Sequence, residues 1–430
     1  MRVVLDARPL QAPERNPTTA IYLEALLGAF AADPLPGESF LFLLDTPGPD
    51  PSPRFPGLAF AGRRRLPPTR RLRAARLTMD PFLLRAASIG SRGDASAAVL
   101  HVTGGTLPLA SGLPMVVTLL DLAAWELPAV YQRNLAERFG QRLRARLLRE
   151  AERIIVASEA TARATSRFLP FPAERIHVVR LAPVLPVTRG DDAAGRLAAL
   201  RERLRIPERY LLFRGQYDAR KDLATLLRAM VELAARPAPA PASESSAAVV
   251  TNPPATDPEA LDRFAMPNGI PWPPVLVLAP SDTAAASGGE SEALARLVDR
   301  EGAWPVVHLI PRLDASDQAM LLGGARALVH PALVEGSGLP AIEALAAGVP
   351  VVATNVGALS EIVGKAGILV PPRDARRLGA AVSAVWSDER LHTRFSLAAA
   401  RQALARRRTW ADVARETREV YLLAASRRRA

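Results

Sequence analysis

Two carboxylates on either side of a glycine-rich loop are the residues of this chain best suited to chemistry. Glu335 precedes Gly336-Ser337-Gly338, and Glu343 follows eight positions after Glu335. A carboxylate accepts hydrogen bonds from vicinal hydroxyl groups, such as those of a ribose or a hexose. Backbone N–H groups of a loop that leads into a helix favour an anionic or hydroxyl-rich ligand. The block therefore predicts a ligand site in which both carboxylates face one cleft.

The elements around this loop are those that would hold such a site in place. Ala327 to Val329 is a short apolar run, typical of an interior strand. Pro340 suits the first helical position, and the strong helix formers from Ala341 to Ala347 continue the helix. Gly348 is a candidate left-handed cap, and Val351 to Ala353 forms the next buried-type strand. The pattern predicts a strand, a loop, a helix and a strand.

A second segment adds positive charge. Tyr210 to Phe213 has the pattern of a strand, Gly215 to Arg220 that of a loop, and Leu223 to Met230 repeats apolar residues at helical spacing. Arg220 and Lys221 fall at the entrance of that helix, where cations can meet a diphosphate. The plainer alternative is that both are solvated surface charges.

The first block resembles the Glu-x7-Glu region of the family-4, group 1 retaining glycosyltransferases, which have the GT-B fold. The family's usual E-G-F-G-L-P is matched by the residues from Glu335 to Pro340, with Ser337 in place of the aromatic residue. The segment from Tyr210 to Met230 is similar to the family's G-R-L-D-x-R-K-N loop. The resemblance implies an α/β fold with two doubly wound Rossmann-like domains facing across a cleft. The donor would bind at the carboxyl ends of the second domain's strands.

The resemblance also implies roles for individual residues. Lys221, helped by Arg220, would neutralise charge on the leaving diphosphate, and Glu335 would hold a sugar hydroxyl near the anomeric carbon. Glu343 would hold the ribose hydroxyls. Further donor contacts would come from Gly215, Gln216, Ser337, Gly338, Leu339 and Asp121. No metal and no cofactor beyond the nucleotide sugar is implied, and the acceptor is left open among a glycan, a lipid-linked molecule and a small molecule.

Some residues keep plainer interpretations. Asp121 follows a buried-type strand and suits a structural role as well as a donor contact. Glu361 suits the cap of a helix N-terminus as well as a ligand contact. His330 is expected to be a packing residue at a strand end.

The chain departs from the family mainly in its N-terminal half. The usual glycines before Tyr22 are replaced by Thr18, Thr19 and Ala20, and Leu120 stands where a histidine normally reaches the transferred sugar. These losses favour a second hypothesis, in which the chain is a non-catalytic partner subunit that binds a nucleotide or sugar.

Composition bounds the remaining possibilities. The chain has 430 residues, 49% of them hydrophobic, and no cysteine, which excludes disulfides and thiolate metal sites. Its five histidines show no metal-ligand spacing. A net charge of +12 suits acidic partners such as nucleotide sugars, anionic lipid or nucleic acid, but no nucleic-acid motif is present. Only Lys221 and Lys365 are lysines among the 55 basic residues.

Alternating strand and helix patterns predict two domains with parallel sheets. We expect an N-terminal domain over residues 1–185 and a C-terminal nucleotide-sugar-binding domain over 193–408. A Pro/Ala/Ser-rich stretch, about 237–274, is predicted to be a disordered insertion. The resemblance implies that the final helix, within 409–430, crosses back to the N-terminal domain.

The sequence also bears on location. The run from Met1 to Asp6 is too short for a signal peptide, and no uncharged stretch is long enough to span a bilayer. A cytoplasmic protein is therefore expected. The arginine-rich run from Arg63 to Arg76 suits either a solvated loop or helix face, or a patch that contacts anionic membrane.

Overall fold

A computed structural model of the chain describes residues 1–46, 48–67, 81–86, 93, 97–103, 107–186, 193–238, 270–280 and 289–426. These residues form two compact units. The first contains the described residues of Met1–Ala182 and of Arg408–Ala430, and the second contains those of 183–407. No helix in the described ranges combines the length and the apolar character needed to cross a bilayer.

The first unit is built on a sheet of seven parallel strands in the order β3-β2-β1-β4-β5-β6-β7. The central strands are continuous buried apolar runs, as expected for a parallel sheet covered on both faces. The strands are β1 Arg2–Asp6, β2 Ser39–Asp45, β3 Phe60–Leu66, β4 Ala98–Thr103, β5 Met115–Leu119, β6 Arg153–Val156 and β7 Ile176–Val178. The α-helices are Pro17–Ala32, Ala123–Glu126, Pro128–Tyr131, Leu135–Leu148, Glu159–Phe168 and Trp410–Ser426, with a further helical segment at 81–86.

The second unit has six parallel strands in the order β10-β9-β8-β11-β12-β13. They are β8 Leu211–Arg214, β9 Leu276–Ala279, β10 Val307–Leu309, β11 Ala327–His330, β12 Val351–Thr354 and β13 Gly367–Val370. The helices are Ala193–Leu204, Leu223–Ala234, Gly289–Arg300, Ala315–Gly323, Leu339–Ala346, Leu359–Ile362, Ala375–Ser387 and Glu389–Arg406. From β8 the chain moves outward to β9 and from β11 to β12, so the order reverses between β8 and β11. In open α/β sheets this reversal point is where ligands bind, at the carboxyl ends of the strands.

Apolar side chains cover both faces of the second sheet. Leu226, Met230 and the fully buried Trp386 belong to the core on one face. Leu328 and Leu345 belong to the core on the other. These cores fix β8 and β11 side by side, which matters because the candidate site residues lie on the loops that follow these two strands.

The last helix completes the first unit although it follows the second unit in the sequence. The Arg418 guanidinium lies 4.8 Å from the Phe30 ring centroid and donates to Glu38 Oε2 at 2.8 Å. The Tyr421 hydroxyl lies 2.7 Å from Nδ1 of the buried His101. A cation–π contact, an ion pair and a hydrogen bond therefore attach this helix to the rest of the first unit.

The predicted α/β fold with two Rossmann-like parallel sheets is confirmed, with differences at particular elements. The run from Arg63 to Arg76 was expected to be a loop or helix face, yet Arg63, Arg64 and Arg65 lie in β3. This strand has no continuous apolar run that would predict it, because its side chains alternate between half-buried and exposed. The rest of the run is described only at residues 66 and 67.

The predicted insertion extends too far toward the C-terminus. Its residues 239–269 lie outside the described ranges, but residues 270–274 pack onto the second unit. The Trp272 indole N–H donates to the Arg236 carbonyl at 3.0 Å, and the Trp386 indole N–H donates to the Pro271 carbonyl at 2.8 Å. Aromatic anchoring of this kind is not visible in a proline-rich composition.

Candidate functional site

The loop after β8 brings two cations to the edge of the second sheet. Asp218 accepts a hydrogen bond from the Arg220 backbone N–H at 2.9 Å and thereby caps the short 3-10 helix Ala219–Lys221. The Arg220 carbonyl accepts the Leu333 N–H at 2.6 Å, which ties this loop to the one after β11. Arg220 and Lys221 are only 8% and 6% exposed, so their interpretation as solvated surface charges is wrong.

The loop after β11 carries Glu335 and leads into the helix Leu339–Ala346. Gly338 is the N-cap residue and has φ +63°, a left-handed conformation that favours glycine. Its backbone N–H donates to Glu335 Oε1 at 3.0 Å, and the Ser337 hydroxyl donates to the same oxygen at 3.2 Å. The predicted proline in the first turn and the left-handed Gly348 after the helix are both present. The glycine-rich loop thus fixes the Glu335 carboxylate from its own backbone.

The two loops meet in a buried cluster of three polar side chains. Lys221 Nζ lies 2.5 Å from Glu335 Oε2, and His330 Nε2 lies 2.8 Å from the same oxygen. Lys221 Nζ and His330 Nε2 are 3.1 Å apart. His330 is the last residue of β11 and is fully buried. It is therefore a buried residue at a strand end, as predicted, and it also contacts the Glu335 carboxylate.

Burial and charge set the protonation of this cluster. Burial, followed by the charge of Lys221, lowers the pKa of the His330 imidazole from 6.5 to about 4, so it is neutral at pH 7. Burial by itself raises the pKa of the Glu335 carboxyl. The Lys221 charge and the His330 hydrogen bond outweigh it and hold that pKa well below its usual range. A neutral His330 that donates from Nε2 to Glu335 leaves Nδ1 as an acceptor, and Nδ1 has no partner among the described residues.

Glu343 lies in a second buried cluster. Its Oε2 accepts from Arg214, the last residue of β8, and its Oε1 accepts the Leu185 backbone N–H at 3.3 Å. The Arg214 Nε–H donates to Gln318 Oε1 at 2.6 Å. Glu343 and Gln318 are each 2% exposed, and Arg214 is 9% exposed. The ion pair with Arg214 was not predicted, and the role of Glu343 toward ribose hydroxyls stays a prediction.

The other predicted residues are placed as follows. Gly215 and Gln216 follow β8 directly, and Leu339 begins the helix after the Glu335 loop. Asp121 belongs to the first unit, where its Oδ1 accepts the Ala123 N–H at 3.1 Å at the start of a short helix. Glu361 lies in the first turn of the helix Leu359–Ile362. No group of three or more His, Asp or Glu side chains suited to a metal ion occurs within the described residues.

Three side chains of the two clusters were missed by the sequence analysis. Arg214 had a readable signal, because it is a charged residue that ends an otherwise apolar strand directly before the loop. His330 had a weaker one, as the polar residue ending the strand before Glu335. Gln318 had none, since its contact with Arg214 depends on how a helix packs 104 positions along the chain.

Comparisons with known proteins agree with this arrangement. The family model "Glycosyl transferases group 1" matches residues 275–402, and the "Glycosyl transferase 4-like domain" model matches residues 20–182. A D-inositol 3-phosphate glycosyltransferase of Nocardioides sp. is 29% identical over 72% of this chain and 62% of its own length. The O-antigen chain mannosyltransferase B of Escherichia coli is 32% identical over 32% of this chain and 35% of its own.

Solved structures share the fold. Sucrose-phosphate synthase of Thermosynechococcus elongatus superposes with a TM-score of 0.69 and 19% identity, covering 99% of this chain and 100% of that one. HepE of Anabaena in complex with UDP and glucose gives a TM-score of 0.64 and 14% identity, covering 97% of this chain and 98% of that one.

The predicted resemblance to the group 1, family-4 glycosyltransferases is confirmed, with one family model matching in each half of the chain. Its matches to the two curated relatives named above span 35% and 62% of their lengths.

Proposed function

We propose that this chain transfers a sugar from a nucleotide diphosphate sugar to a hydroxyl-bearing acceptor, with retention of configuration. The observation that carries the proposal is the buried Lys221–Glu335 pair on the loops after β8 and β11. Those loops flank the reversal point of the second sheet, where ligands of open α/β sheets bind. Family membership and the UDP and glucose bound by HepE support a nucleotide sugar as the donor.

In this proposal the protein acts by position and charge. Lys221 and Arg220 neutralise the diphosphate as its bond to the anomeric carbon breaks. Glu335 holds a sugar hydroxyl close to that carbon, and the hydroxyl takes the place of one of the four groups that donate to this carboxylate in the structure. The acceptor hydroxyl attacks from the face that the diphosphate leaves, and the leaving phosphate oxygen takes its proton. Gly215, Gln216, Ser337, Gly338 and Leu339 supply further donor contacts, and Asp121 is the one donor contact proposed from the first unit.

Burial favours a working site over the non-catalytic alternative. Removing a lysine and a carboxylate from water costs several kcal/mol per ion, and such a pair is weak as a source of stability. A pair whose side chains are only 7% and 2% exposed, at the edge where ligands bind, is better explained by a role toward the ligand. No observation on the described residues favours a partner subunit without activity.

The test uses the only two lysines. Purified wild type, Lys221→Met and Lys365→Met are compared for hydrolysis and transfer with UDP-, GDP-, ADP- and dTDP-sugars. Lys365 is exposed, so its variant removes one lysine without touching the cluster. We expect Lys221→Met to lose roughly 100-fold or more in rate, as when a charge-stabilising donor is removed, and Lys365→Met to keep its rate. Equal rates in all three proteins would refute the proposal, and nucleotide binding without turnover in wild type would favour the partner-subunit hypothesis.

We also infer that the protein contacts anionic membrane, but through another surface than the arginine run. In that run Arg63 donates to the Ser52 hydroxyl and Arg65 donates to the Gly48 carbonyl. These two arginines therefore make hydrogen bonds within the first unit. The helix Leu135–Leu148 instead has an outward face with exposed apolar side chains. Leu135 is 82% exposed and Phe139 58% exposed.

Basic residues surround this apolar pair. With 3.6 residues per turn, Arg138, Arg142 and Arg146 fall on the same face as Leu135 and Phe139, and all three are exposed. The helix has one acid, Glu137, which is half-buried and accepts the Arg133 backbone N–H. Two apolar side chains among arginines suit the interface of a bilayer with negative headgroups.

A further inference from the structure

Arg214 places a positive charge at the end of a strand whose other residues are apolar. All four residues of β8 are buried, and Arg214 lies at its carboxyl end. Its guanidinium donates from Nη1 to Glu343 and from Nε to Gln318 Oε1. The Gln318 amide in turn donates to the Leu313 carbonyl at 3.0 Å. A chain of hydrogen bonds thus fixes the Arg214 side chain from both ends.

Stability alone does not account for this pair. A buried ion pair recovers its desolvation cost only partly, and apolar residues of similar volume are often as stable or more stable. The pair also lies beside the sheet reversal, with Arg214 at the end of the strand that leads into the Lys221 loop and Glu343 on the helix that follows the Glu335 loop. Its position therefore indicates that Arg214 orients the Glu343 carboxylate toward a ligand.

The geometry leaves Glu343 able to accept more hydrogen bonds. An ionised carboxylate has about four acceptor positions on its two oxygens. Among the described residues Arg214 occupies one on Oε2 and the Leu185 N–H one on Oε1. One position remains on each oxygen, which matches two vicinal hydroxyl groups. Without Arg214 the Glu343 side chain would be free to change rotamer.

We propose that Arg214 is a positioning residue that presents the Glu343 carboxylate to the two ribose hydroxyls of the donor nucleotide. The proposal rests on the proposed function, because it takes a ribonucleotide as the ligand of this site. Arg214 itself does not touch the ribose; it acts through Glu343. Discrimination between ribose and 2′-deoxyribose is therefore the property that depends on Arg214.

The test measures that discrimination by calorimetry with UDP, GDP and ADP and with their 2′-deoxy forms. For the nucleotide that binds best, the readout is the ratio of the dissociation constants of the deoxy and ribo forms. Wild type is expected to favour the ribo form about ten-fold or more, the usual value of one hydrogen bond to a charged group. Arg214→Lys keeps the charge but loses the fork that reaches both Glu343 and Gln318.

Arg326→Lys is the matched control. Arg326 is a buried arginine of the same unit, 8% exposed, with a similar fork onto Glu389 and the Val385 carbonyl. It precedes β11, at the opposite edge of the sheet from the site. A loss of stability without a role in binding would affect both variants and leave the ratio unchanged in each.

The outcomes separate the two proposals. A ratio at least three-fold smaller in Arg214→Lys but intact in Arg326→Lys supports the positioning role, and Glu343→Gln should lower the ratio equally. A wild-type ratio in Arg214→Lys overturns that role while leaving the proposed function in place. A wild type that binds nucleotides without preferring the ribo form also overturns it. Failure of wild type to bind any nucleotide overturns the proposed function as well.

Discussion

At the scale of single residues, a neutral histidine lies beside the buried ion pair. His330 contacts the same oxygen of Glu335 as Lys221, and its pKa is lowered from 6.5 to about 4. A neutral imidazole donates a hydrogen bond to the carboxylate without adding a second positive charge beside Lys221. The cluster therefore contains one cation and one anion at pH 7, and the Lys221 charge that is proposed to meet the diphosphate depends on that balance.

This shift predicts how stability depends on pH. Between about pH 6.5 and 4 the unfolded chain binds a proton at His330 that the folded protein does not, so acidification destabilises the fold. The loss at His330 is roughly 3 kcal/mol across that window. Urea unfolding at several pH values should show a smaller loss in His330→Gln, whereas His308→Gln, which changes an exposed histidine, should behave as wild type. The same pH dependence in His330→Gln as in wild type would contradict the assignment.

At the scale of elements, the entry to the helix Leu339–Ala346 couples backbone conformation to the site. Gly338 adopts φ +63° and donates its N–H to Glu335. A Cβ at this position would come within 2.2 Å of Ile362 Cδ1. The left-handed conformation and the contact with Ile362 therefore both oppose any other residue here.

Gly338→Ala is expected to lower both stability and donor turnover. Gly348 provides the control, because it has φ +75° and nothing within 4 Å of an added Cβ. Both alanine variants should lose about 1–2 kcal/mol of unfolding free energy from the left-handed conformation. Only Gly338→Ala should also reduce the rate of sugar transfer, since it displaces the N–H that holds Glu335. If the transfer rates fall equally in the two variants, the proposed role of the Gly338 N–H in holding Glu335 for transfer is wrong.

The sequence predicts what is local and misses what depends on packing. Glu335, Gly338 and the helix after them lie within one short block, so their pattern could be recognised directly. The Lys221–Glu335 contact joins residues 114 positions apart. The family resemblance assigned both residues to one donor site, which their spacing in the sequence does not indicate. The Arg214–Gln318 contact depends on how the helix Ala315–Gly323 packs against the sheet. Neither composition nor periodicity predicts that packing.

At the scale of the whole molecule, the charge of +12 is distributed in a way that bears on partners. Many arginines are committed to ion pairs within one unit, such as Arg418 with Glu38 and Arg326 with Glu389. The outward face of the helix Leu135–Leu148 is different, because its arginines are exposed beside Leu135 and Phe139. Net charge alone does not single out a surface, and the membrane proposal therefore rests on this combination of exposed arginines and apolar side chains.

The membrane proposal predicts selective binding to negatively charged vesicles. Wild type should co-sediment with phosphatidylcholine vesicles that contain phosphatidylglycerol, and not with phosphatidylcholine alone. Replacing Arg138, Arg142 and Arg146 by serine should weaken binding roughly 100-fold, at about 1 kcal/mol for each arginine. The control replaces the exposed Arg376, Arg390 and Arg401 by serine and removes the same charge. Equal binding by the two triple variants would contradict the proposed surface.

The placement of the helix Trp410–Ser426 has a consequence for biosynthesis. Domains generally fold as units during synthesis, with the N-terminal one first. Here the first unit obtains Arg418 for Glu38 and Tyr421 for His101 only from the end of the described chain. A nascent chain that has emerged as far as the second unit still has a gap on its first sheet, with a buried-type histidine and carboxylate unmatched. The ribosome therefore synthesises all described residues of the second unit before the first unit has its last helix.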